Sequence, residues 1–288
     1  MSGIALLLSL TTLFTGVNNP VTSSRCTTAA VFTPAEKSIT QKIGSKNITI
    51  KITYYGNSIN NCCINLHDDE STAVQAAKTV LEQKGGLLIR IENNAQRMVS
   101  FPFRGVTYSF DPNRIFSRRG IELTLKSKGR VTAEVVDEVQ KFANKILEQI
   151  PDSAKCVIAL HNNTDGDYSV KTYQPGGSRQ ADAKRVYADS WQDVDDITLT
   201  TDEDLFTRMS GFGYNSILQD NIKVLKDGSL SVYYGEKNKR YINIETQHGK
   251  TTQYKEMLSK LLYVLDEEYT PVKEATAKTS NNSVDIDY

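Results

Sequence analysis

The sequence predicts an α/β fold of three layers, α/β/α, in which helices cover both faces of a mixed, mostly parallel central sheet. Two apolar runs of strand length, residues 62–66 and 87–91, flank a segment with helical periodicity. That order is typical of a parallel strand–helix–strand unit. A third apolar run, residues 156–160, has the same character. Strands that are apolar throughout indicate a sheet that is buried on both faces.

The first elements follow in the order that this fold requires. Residues 47–55 alternate apolar and polar side chains, which is strand periodicity, and the strand that ends at Leu66 comes next. Residues 72–84 carry an apolar stripe at helical spacing, and a pair of glycines ends this helix. Residues 87–91 are the next buried strand, so the two strands on either side of the helix are expected to be parallel.

The middle of the chain contains a long loop region and then a helix and a strand. Residues 93–120 are predicted to be mostly loop, with short extended pieces. Residues 131–150 form a long amphipathic helix, and the strand 156–160 follows it. Thr200 and Glu203 have the spacing of a capping box, which predicts a short helix.

The last part of the chain is predicted to contain three extended runs and a final helix. The extended runs cover residues 216–218, 230–234 and 241–245. The final helix covers residues 251–267, because its apolar residues recur at helical spacing.

Composition limits the function classes. The chain has 288 residues, and its 34 Lys and Arg balance its 34 Asp and Glu, so the formal net charge is zero. Nucleic acids and anionic membranes both require a basic face, so neither is expected as a partner. The four cysteines are too few for a disulfide scaffold and lack the CxxC pairs of a structural zinc site. We expect one domain over residues 45–272.

Both ends of the chain differ in composition from this domain. Residues 4–16 are apolar, too short for a transmembrane helix and typical of the core of a secretory signal, so residues 1–25 are predicted to be a signal peptide. A buried first helix is the alternative, because the charged start of a signal is missing. Residues 26–44 are predicted to be a linker, and residues 273–288 a disordered tail. The mature protein is therefore expected outside a membrane, secreted or periplasmic, with the cytoplasm as the alternative.

A histidine and a glutamate follow the apolar run that ends at Leu66. His67 and Glu70 are three positions apart, so one tight turn can direct both side chains at one ion. Zinc accepts imidazole nitrogens and carboxylate oxygens, and a catalytic zinc site needs three protein ligands and one open position. The pair alone also fits a turn histidine beside a solvated acidic cluster. A third candidate ligand is His161, because the strand 156–160 runs directly into it.

Between these candidate ligands lies the stretch Asp-Pro-Asn-Arg-Ile-Phe, residues 111–116. Asp-Pro is typical of a turn, and Asn113 and Arg114 follow it. The planar guanidinium of arginine binds a carboxylate through two parallel hydrogen bonds, and a neighbouring amide can add a third. Without its context, the dipeptide is an ordinary surface pair.

Taken in order, these stretches resemble the zinc carboxypeptidase superfamily, and more closely its aspartoacylase and succinylglutamate desuccinylase-like branch. That superfamily has His-x-x-Glu after a strand, then Asp-x-Asn-Arg-x-Phe, then a histidine at the end of another strand. The chain has His-Asp-Asp-Glu at 67–70, Asp-Pro-Asn-Arg-Ile-Phe at 111–116 and Leu-His-Asn-Asn-Thr at 160–164. The resemblance covers about residues 45–265. Pro112 departs from the pattern, and no segment of the second half clearly matches the peptidase specificity loops.

The resemblance implies a cofactor and a substrate clamp. His67, Glu70 and His161 would hold one Zn²⁺ per chain, and Asn113 and Arg114 would bind the carboxylate of the substrate. The domain would then have the zinc carboxypeptidase-like fold and bind a small molecule or peptide with a free carboxylate. The sequence does not indicate an oligomeric state.

The resemblance also implies two further catalytic groups. An arginine upstream of Arg114 would polarise the scissile carbonyl, and Arg104 is the first choice, with Arg97 as the alternative. A downstream glutamate would act as general base for water activated by zinc. Glu245 is chosen because it ends a predicted strand, whereas Glu236 stands in a polar turn. His248 is either a partner that orients this base or a surface histidine.

Three functions are compatible with these features. The first is a zinc-dependent hydrolase, a metallocarboxypeptidase or an amidohydrolase, that cleaves an amide bond next to a carboxylate in a peptide or an N-acyl amino acid. The second is a catalytically inactive protein of the same fold that binds a carboxylate or a peptide. The third is a structural protein whose motif matches are accidental, and three ordered matches at strand ends argue against it.

Overall fold

The computed structural model describes residues 31–127, 129–166 and 168–267. Its strands are β1 (Pro34–Ile43), β2 (Lys46–Tyr55), β3 (Asn61–Asn65), β4 (Gly86–Glu92), β5 (Val99–Phe103), β6 (Val106–Phe110), β7 (Lys126–Ser127), β8 (Cys156–Asn163), β9 (Ala183–Tyr187), β10 (Ile197–Thr200), β11 (Asn215–Gln219) and β12 (Tyr241–Gln247). Its α-helices are α1 (Ser71–Lys84), α2 (Arg118–Thr124), α3 (Ala133–Leu147), α4 (Glu203–Gly211), α5 (Leu230–Glu236) and α6 (Thr251–Glu267). Short 3₁₀ helices cover Pro112–Arg114, Val170–Thr172 and Gln180–Asp182.

A mixed sheet of nine strands forms the centre of the molecule, in the order β1-β2-β4-β3-β8-β12-β10-β11-β9. The four neighbouring strands β4, β3, β8 and β12 are parallel to one another, and so are β10 and β11. The remaining pairs are antiparallel. A separate antiparallel sheet contains β5, β6 and β7. The predicted α/β class is confirmed, and the parallel strands lie at the middle of the sheet.

Helices cover both faces of the large sheet, as the apolar character of its middle strands predicts. On one face, α1, α4 and α6 pack in a core that includes Leu160 of β8 and Leu258 of α6. On the other face, α3 contributes residues such as Phe142 to a core that also contains Ile64 of β3 and Ala159 of β8. All eight residues of β8 are buried. The middle strands therefore have no solvent-facing side, which explains their continuous apolar sequence.

Several sequence predictions agree with the structure closely. The strand 47–55, the helix 72–84 and the helix 251–267 correspond to β2, α1 and α6. The strands on either side of α1 are parallel, as the strand–helix–strand order predicts. Each of these elements has a strong apolar period, so its type could be recognised without tertiary information.

The linker prediction for residues 26–44 is wrong from Pro34 onwards, because β1 occupies most of that range. β1 pairs with β2 over its whole length but lies at the edge of the sheet, and most of its side chains are exposed. An edge strand with two largely solvated faces has no apolar alternation that would identify it. The predicted signal peptide and the predicted tail lie outside the described residues. No helix among the residues that are described is long and apolar enough to cross a membrane.

Three further predictions require correction. Residues 93–120 contain more regular structure than predicted, namely the β5–β6 hairpin and the start of α2, although the extended piece that was predicted at Val106–Phe110 is confirmed as β6. Residues 230–234 belong to the helix α5 and are not an extended run. This helix is too short for its sequence to show a helical period. The cap of α4 is Asp202, whose side chain accepts a hydrogen bond from the Leu205 N–H at 2.9 Å, and not Thr200. The sequence did not predict β10, which lies between β12 and β11, or β9, which forms the other outer edge of the sheet.

Candidate metal centre

The site begins at the carboxyl end of β3, where the chain turns into α1. The backbone N–H of Glu70 bonds to the carbonyl of His67, and Glu70 is the N-cap residue of α1. This tight turn brings the two side chains of the pair to one place. β8 is the parallel neighbour of β3, so His161 in β8 comes to the same end of the sheet. The sequence spacing and the strand order together therefore create the cluster.

Both histidines direct Nδ1 at the carboxylate of Glu70. His67 Nδ1 lies 2.9 Å from Oε1, and His161 Nδ1 lies 3.2 Å from Oε2. Potential ligand atoms of the three residues lie within 4.8 Å of one another, and all three side chains are buried. Asn65 of β3 donates from Nδ2 to Glu70 Oε2 at 3.1 Å and thereby orients the carboxylate. Two imidazoles and one carboxylate form the donor set that zinc accepts.

The charges in this cluster favour a cation. Burial opposes protonation of His67, but the Glu70 and Asp111 carboxylates outweigh it and raise the pKa of His67 to about 9. Burial alone would raise the pKa of Glu70, yet the two histidines hold it well below its usual range. The cluster thus stabilises positive charge between these groups, and a metal that binds here would displace the proton of His67.

Asp111 is a functional residue that the sequence analysis did not single out. Its Oδ1 lies 2.7 Å from His67 Nε2 and also accepts the backbone N–H of Asn113 at 2.8 Å. With the proton on Nε2, His67 donates to Asp111 and presents Nδ1 as a ligand. A carboxylate behind a ligating histidine fixes its tautomer and orientation. The signal was present, because Asp111 opens the Asp-Pro-Asn-Arg stretch, but only the Asn-Arg pair was given a role.

The cluster opens into a cavity of about 430 Å³. His67 and His161 lie in its wall together with Asn113, Arg114 and Glu245. Most of the predicted site residues therefore share one cavity. A space of this size is typical of a small-molecule or short-peptide site.

Glu245 reaches the cavity from β12, the parallel neighbour of β8, where it is paired with His161. Its side chain is 8% exposed, and burial raises its pKa to about 7. Asn243 donates to its Oε1 at 3.4 Å. The alternative, Glu236 at the end of α5, is exposed, and its Oε1 lies 3.3 Å from Lys226 Nζ. Of the two candidate glutamates, Glu245 lines the cavity and Glu236 does not.

Arg104 is not part of the site, so this prediction requires correction. It stands with Gly105 in the tight turn of the β5–β6 hairpin, at φ 47°, and its side chain is 71% exposed. The alternative, Arg97, lines the cavity and donates from Nη1 to Glu70 Oε1 at 2.9 Å. Arg104 is closer to Arg114 in sequence, but the hairpin turn directs it away from the cavity that Arg97 lines.

Asn113 and Arg114 lie in the 3₁₀ turn after β6 and both line the cavity. Asn113 Oδ1 accepts the backbone N–H of Leu230, and its Nδ2 lies 3.5 Å from His161 Nε2. Arg114 Nη1 donates to the Asn113 carbonyl at 2.7 Å. These contacts hold the amide of Asn113 next to His161 and tie the Arg114 side chain to the same turn.

A third arginine, Arg179, also lines the cavity. Its Nε donates to Asp182 at 2.8 Å, and its Nη2 donates to Asp227 Oδ2 at 3.3 Å. The same Asp227 oxygen lies 3.5 Å from Arg114 Nε, so one carboxylate joins the two arginines. Arg179 lies in a segment without regular periodicity or a motif, and the sequence carried no sign of its role. His248 also lies in the cavity wall.

Tyr254 of α6 connects the two strands that carry His161 and Glu245. The backbone N–H of His161 donates to the Tyr254 hydroxyl at 3.1 Å, and that hydroxyl donates to the carbonyl of Ile244 at 3.0 Å. The phenol oxygen thus bonds to the backbones of both β8 and β12, next to His161 and Glu245. Its side chain is fully buried.

No protein-family model matches the sequence, and no curated protein matches it. Solved structures with a similar fold include an aspartoacylase family protein from Mesorhizobium loti, with 14% identity and a TM-score of 0.43 over 81% of this chain and 67% of that one. A succinylglutamate desuccinylase/aspartoacylase from Rhodobacter sphaeroides has 12% identity and a TM-score of 0.42 over 81% and 66%. An aminopeptidase from Legionella pneumophila has 12% identity and a TM-score of 0.34 over 81% and 58%. The chain spans about two thirds of the length of the first two.

Proposed function

We propose that this protein is a zinc-dependent hydrolase that cleaves an amide bond next to a carboxylate, in a peptide or an N-acyl amino acid. The observation that carries the proposal is the meeting of four groups at the ends of three neighbouring parallel strands. His67 and Glu70 follow β3, His161 lies in β8, and Glu245 lies in β12. A His-Glu-His donor set beside a buried carboxylate of raised pKa is an arrangement suited to hydrolysis.

When bound, zinc would act as a Lewis acid on a carbonyl and lower the pKa of a water molecule. Glu245 would accept the proton of the attacking water and deliver it to the leaving amine, which requires a pKa near the working pH. Its pKa of about 7, raised by burial, meets this requirement. Asp111 would keep His67 in the tautomer that a metal ligand needs.

The remaining residues of the cavity would bind and orient the substrate. Arg114 and Asn113 would hold the carboxylate, because a guanidinium and an amide together offer several N–H donors to one anion. Arg97, beside the metal cluster, would stabilise negative charge that develops on the scissile carbonyl oxygen. The scissile bond of the substrate would then lie at the metal, and its carboxylate at Asn113 and Arg114.

The experiment that tests this function compares matched substrates on zinc-loaded protein. Each N-acyl amino acid or dipeptide with a free carboxylate is paired with its carboxamide, and kcat/KM is measured for both. We expect turnover of the acids and a loss of roughly 10²-fold or more for the carboxamides, because the amide cannot pair with Arg114. Equal rates for acid and amide would exclude the carboxylate clamp. Binding of the acids without turnover of any would favour the inactive binding protein.

A second prediction separates the two candidate arginines. Arg97→Ala is expected to lower kcat by about 10²–10³-fold, the usual cost of losing one donor to a developing oxyanion. Arg104→Ala is the matched control and should leave kcat and KM unchanged, because its side chain is exposed on the hairpin turn. Zinc content is measured in both variants, since Arg97 also contacts the candidate ligand Glu70. A large loss of kcat in Arg104→Ala would contradict the assignment.

A further inference from the structure

β1 forms one outer edge of the nine-stranded sheet. It is ten residues long and regular, and its side chains are exposed from Pro34 to Ser38 and again at Thr40 and Lys42. An edge strand presents unpaired N–H and C=O groups that can pair with another strand. Among the described residues, no strand pairs with this edge. An edge of this length is an interaction surface whose partner must match its side chains.

We propose that β1 pairs with β1 of a second copy of this chain. The two strands would be antiparallel, with a two-fold axis between the two copies of Ile39. This pairing would extend the sheet across a homodimer. This inference does not depend on the proposed enzymatic function. A two-fold interface uses the same surface on both copies, so the sequence of β1 must be complementary to itself.

The charges of β1 are self-complementary in this register. When Ile39 faces Ile39 of the second copy, Glu36 faces Lys42 and Lys42 faces Glu36. Two opposite-charge pairs therefore form at directly opposed positions, where cross-strand pairs stabilise a sheet. Ser38 faces Thr40 between them, on the same side of the sheet.

The neighbouring registers lack these pairs. A two-fold axis normal to the sheet passes between the two copies of one residue, which then face each other. The neighbouring registers therefore place Lys37, Ser38 or Thr40 at this central position. Centring on Lys37 would oppose two lysines directly, which destabilises the pair. Centring on Ser38 or Thr40 would leave every charged residue opposite an uncharged one. The charge pattern therefore selects a single register.

The face of β1 that carries Ile39 supports the same register. Ile43 is fully buried, and Ile39 is half-buried against the core that α3 covers. In the proposed pair, Ile39 would face its own copy and Ile43 would face Ala35. Ile39, which is partly exposed in a single chain, and the exposed Ala35 would then gain apolar partners, and Lys37 would face Gln41 between them.

The opposite face shows a charge row that the pairing would extend. Lys51 of β2 lies 3.0 Å from Glu92 of β4 and 3.6 Å from Glu36. The signs thus alternate from β4 through β2 to β1. Lys42 of the second copy would supply the next positive charge in the row.

Sedimentation velocity of the full chain, between roughly 1 and 500 µM, tests the proposal. Wild type should show a dimer fraction that rises with concentration. Glu36→Lys and Lys42→Glu should each weaken the dimer by roughly tenfold or more, because each places two like-charge pairs in the interface. An equimolar mixture of the two variants should recover a heterodimer, because the two lysines of one chain then face the two glutamates of the other. Lys37→Glu is the control, since Lys37 faces Gln41, and should keep the wild-type dimer.

Three results would overturn the proposal. Wild type could remain monomeric over the whole range, or both single variants could dimerise as wild type does. The mixture could also fail to recover a heterodimer that the single variants have lost. Circular dichroism of each variant confirms that the chain is folded, so that a lost dimer is not a lost fold. β1 is separated from β3, the first strand of the metal cluster, by β2 and β4, so zinc content should be unchanged in all variants.

Discussion

Glu245→Gln is expected to lower kcat by about 10²–10⁴-fold while the protein keeps its zinc. The amide has nearly the shape of the carboxylate but cannot accept a proton from water at neutral pH. The candidate metal ligands lie in β8 and in the turn after β3, and they should be unaffected by a change in β12. Steady-state kinetics and metal analysis on the same preparation give both quantities.

Glu236→Gln is the matched control, because Glu236 is exposed on α5 and does not line the cavity. It should retain wild-type kcat. Full activity in Glu245→Gln would remove the proposed general base and, with it, the strongest argument for turnover. Loss of both activity and zinc would instead indicate that Glu245 supports the metal cluster.

The pH dependence of folding provides an independent readout for Glu245 in metal-free protein. Burial raises its pKa from 4.5 in the unfolded chain to about 7, so the folded state binds this proton more tightly. The resulting stability is fully present below pH 4.5 and is lost as the pH rises through about 7. At pH 8 the buried ionised carboxylate therefore costs about 3 kcal/mol. Urea unfolding should show Glu245→Gln more stable than wild type at pH 8, with the difference shrinking towards pH 5.

Zinc removal is the second change with a large expected effect. Wild type should contain close to one zinc per chain, and free zinc at roughly 1,000 times its Kd stabilises the folded state by about 4 kcal/mol. For a chain of this size, that corresponds to a fall in Tm of roughly 10 °C when a chelator removes the metal. Differential scanning calorimetry with and without chelator measures the shift.

His67→Ala should lose both the zinc and the chelator-dependent shift in Tm, because it removes one of three ligands. His248→Ala is the control. His248 lies in the cavity wall but outside the ligand cluster, so this variant should keep the zinc. Wild type that takes up no zinc when it is offered would contradict the hydrolase proposal and leave carboxylate binding as the remaining function.

The middle of the fold could be predicted from the sequence because burial on both faces leaves a continuous apolar record. β3, β4 and β8 were each recognised in this way. β1 was missed because its pairing with β2 depends on backbone hydrogen bonds and not on apolar side chains. α5 was assigned as a strand because seven residues cannot distinguish a period of two from one of 3.6. Local composition carries little information about either element.

The cluster of candidate metal ligands could be predicted for a related reason. His67, Glu70 and His161 each stand at or just after the end of a buried strand, so their positions follow from the strand order. Arg97 and Arg179 approach the cavity from connecting segments whose course depends on packing. The sequence shows how many residues separate an arginine from a motif. The direction of the Arg104 side chain depends instead on the hairpin turn in which it lies.

The hydroxyl of Tyr254 gives α6 a contact with the candidate site that none of the motifs contains. β12 pairs with β8 over its whole length, and the phenol oxygen bonds to the His161 N–H and to the Ile244 carbonyl within this pairing. The backbone beside His161 and Glu245 is therefore anchored by a side chain more than ninety residues after His161 in the chain. The hydrolase that we propose would depend on this covering helix as well as on the residues that line the cavity.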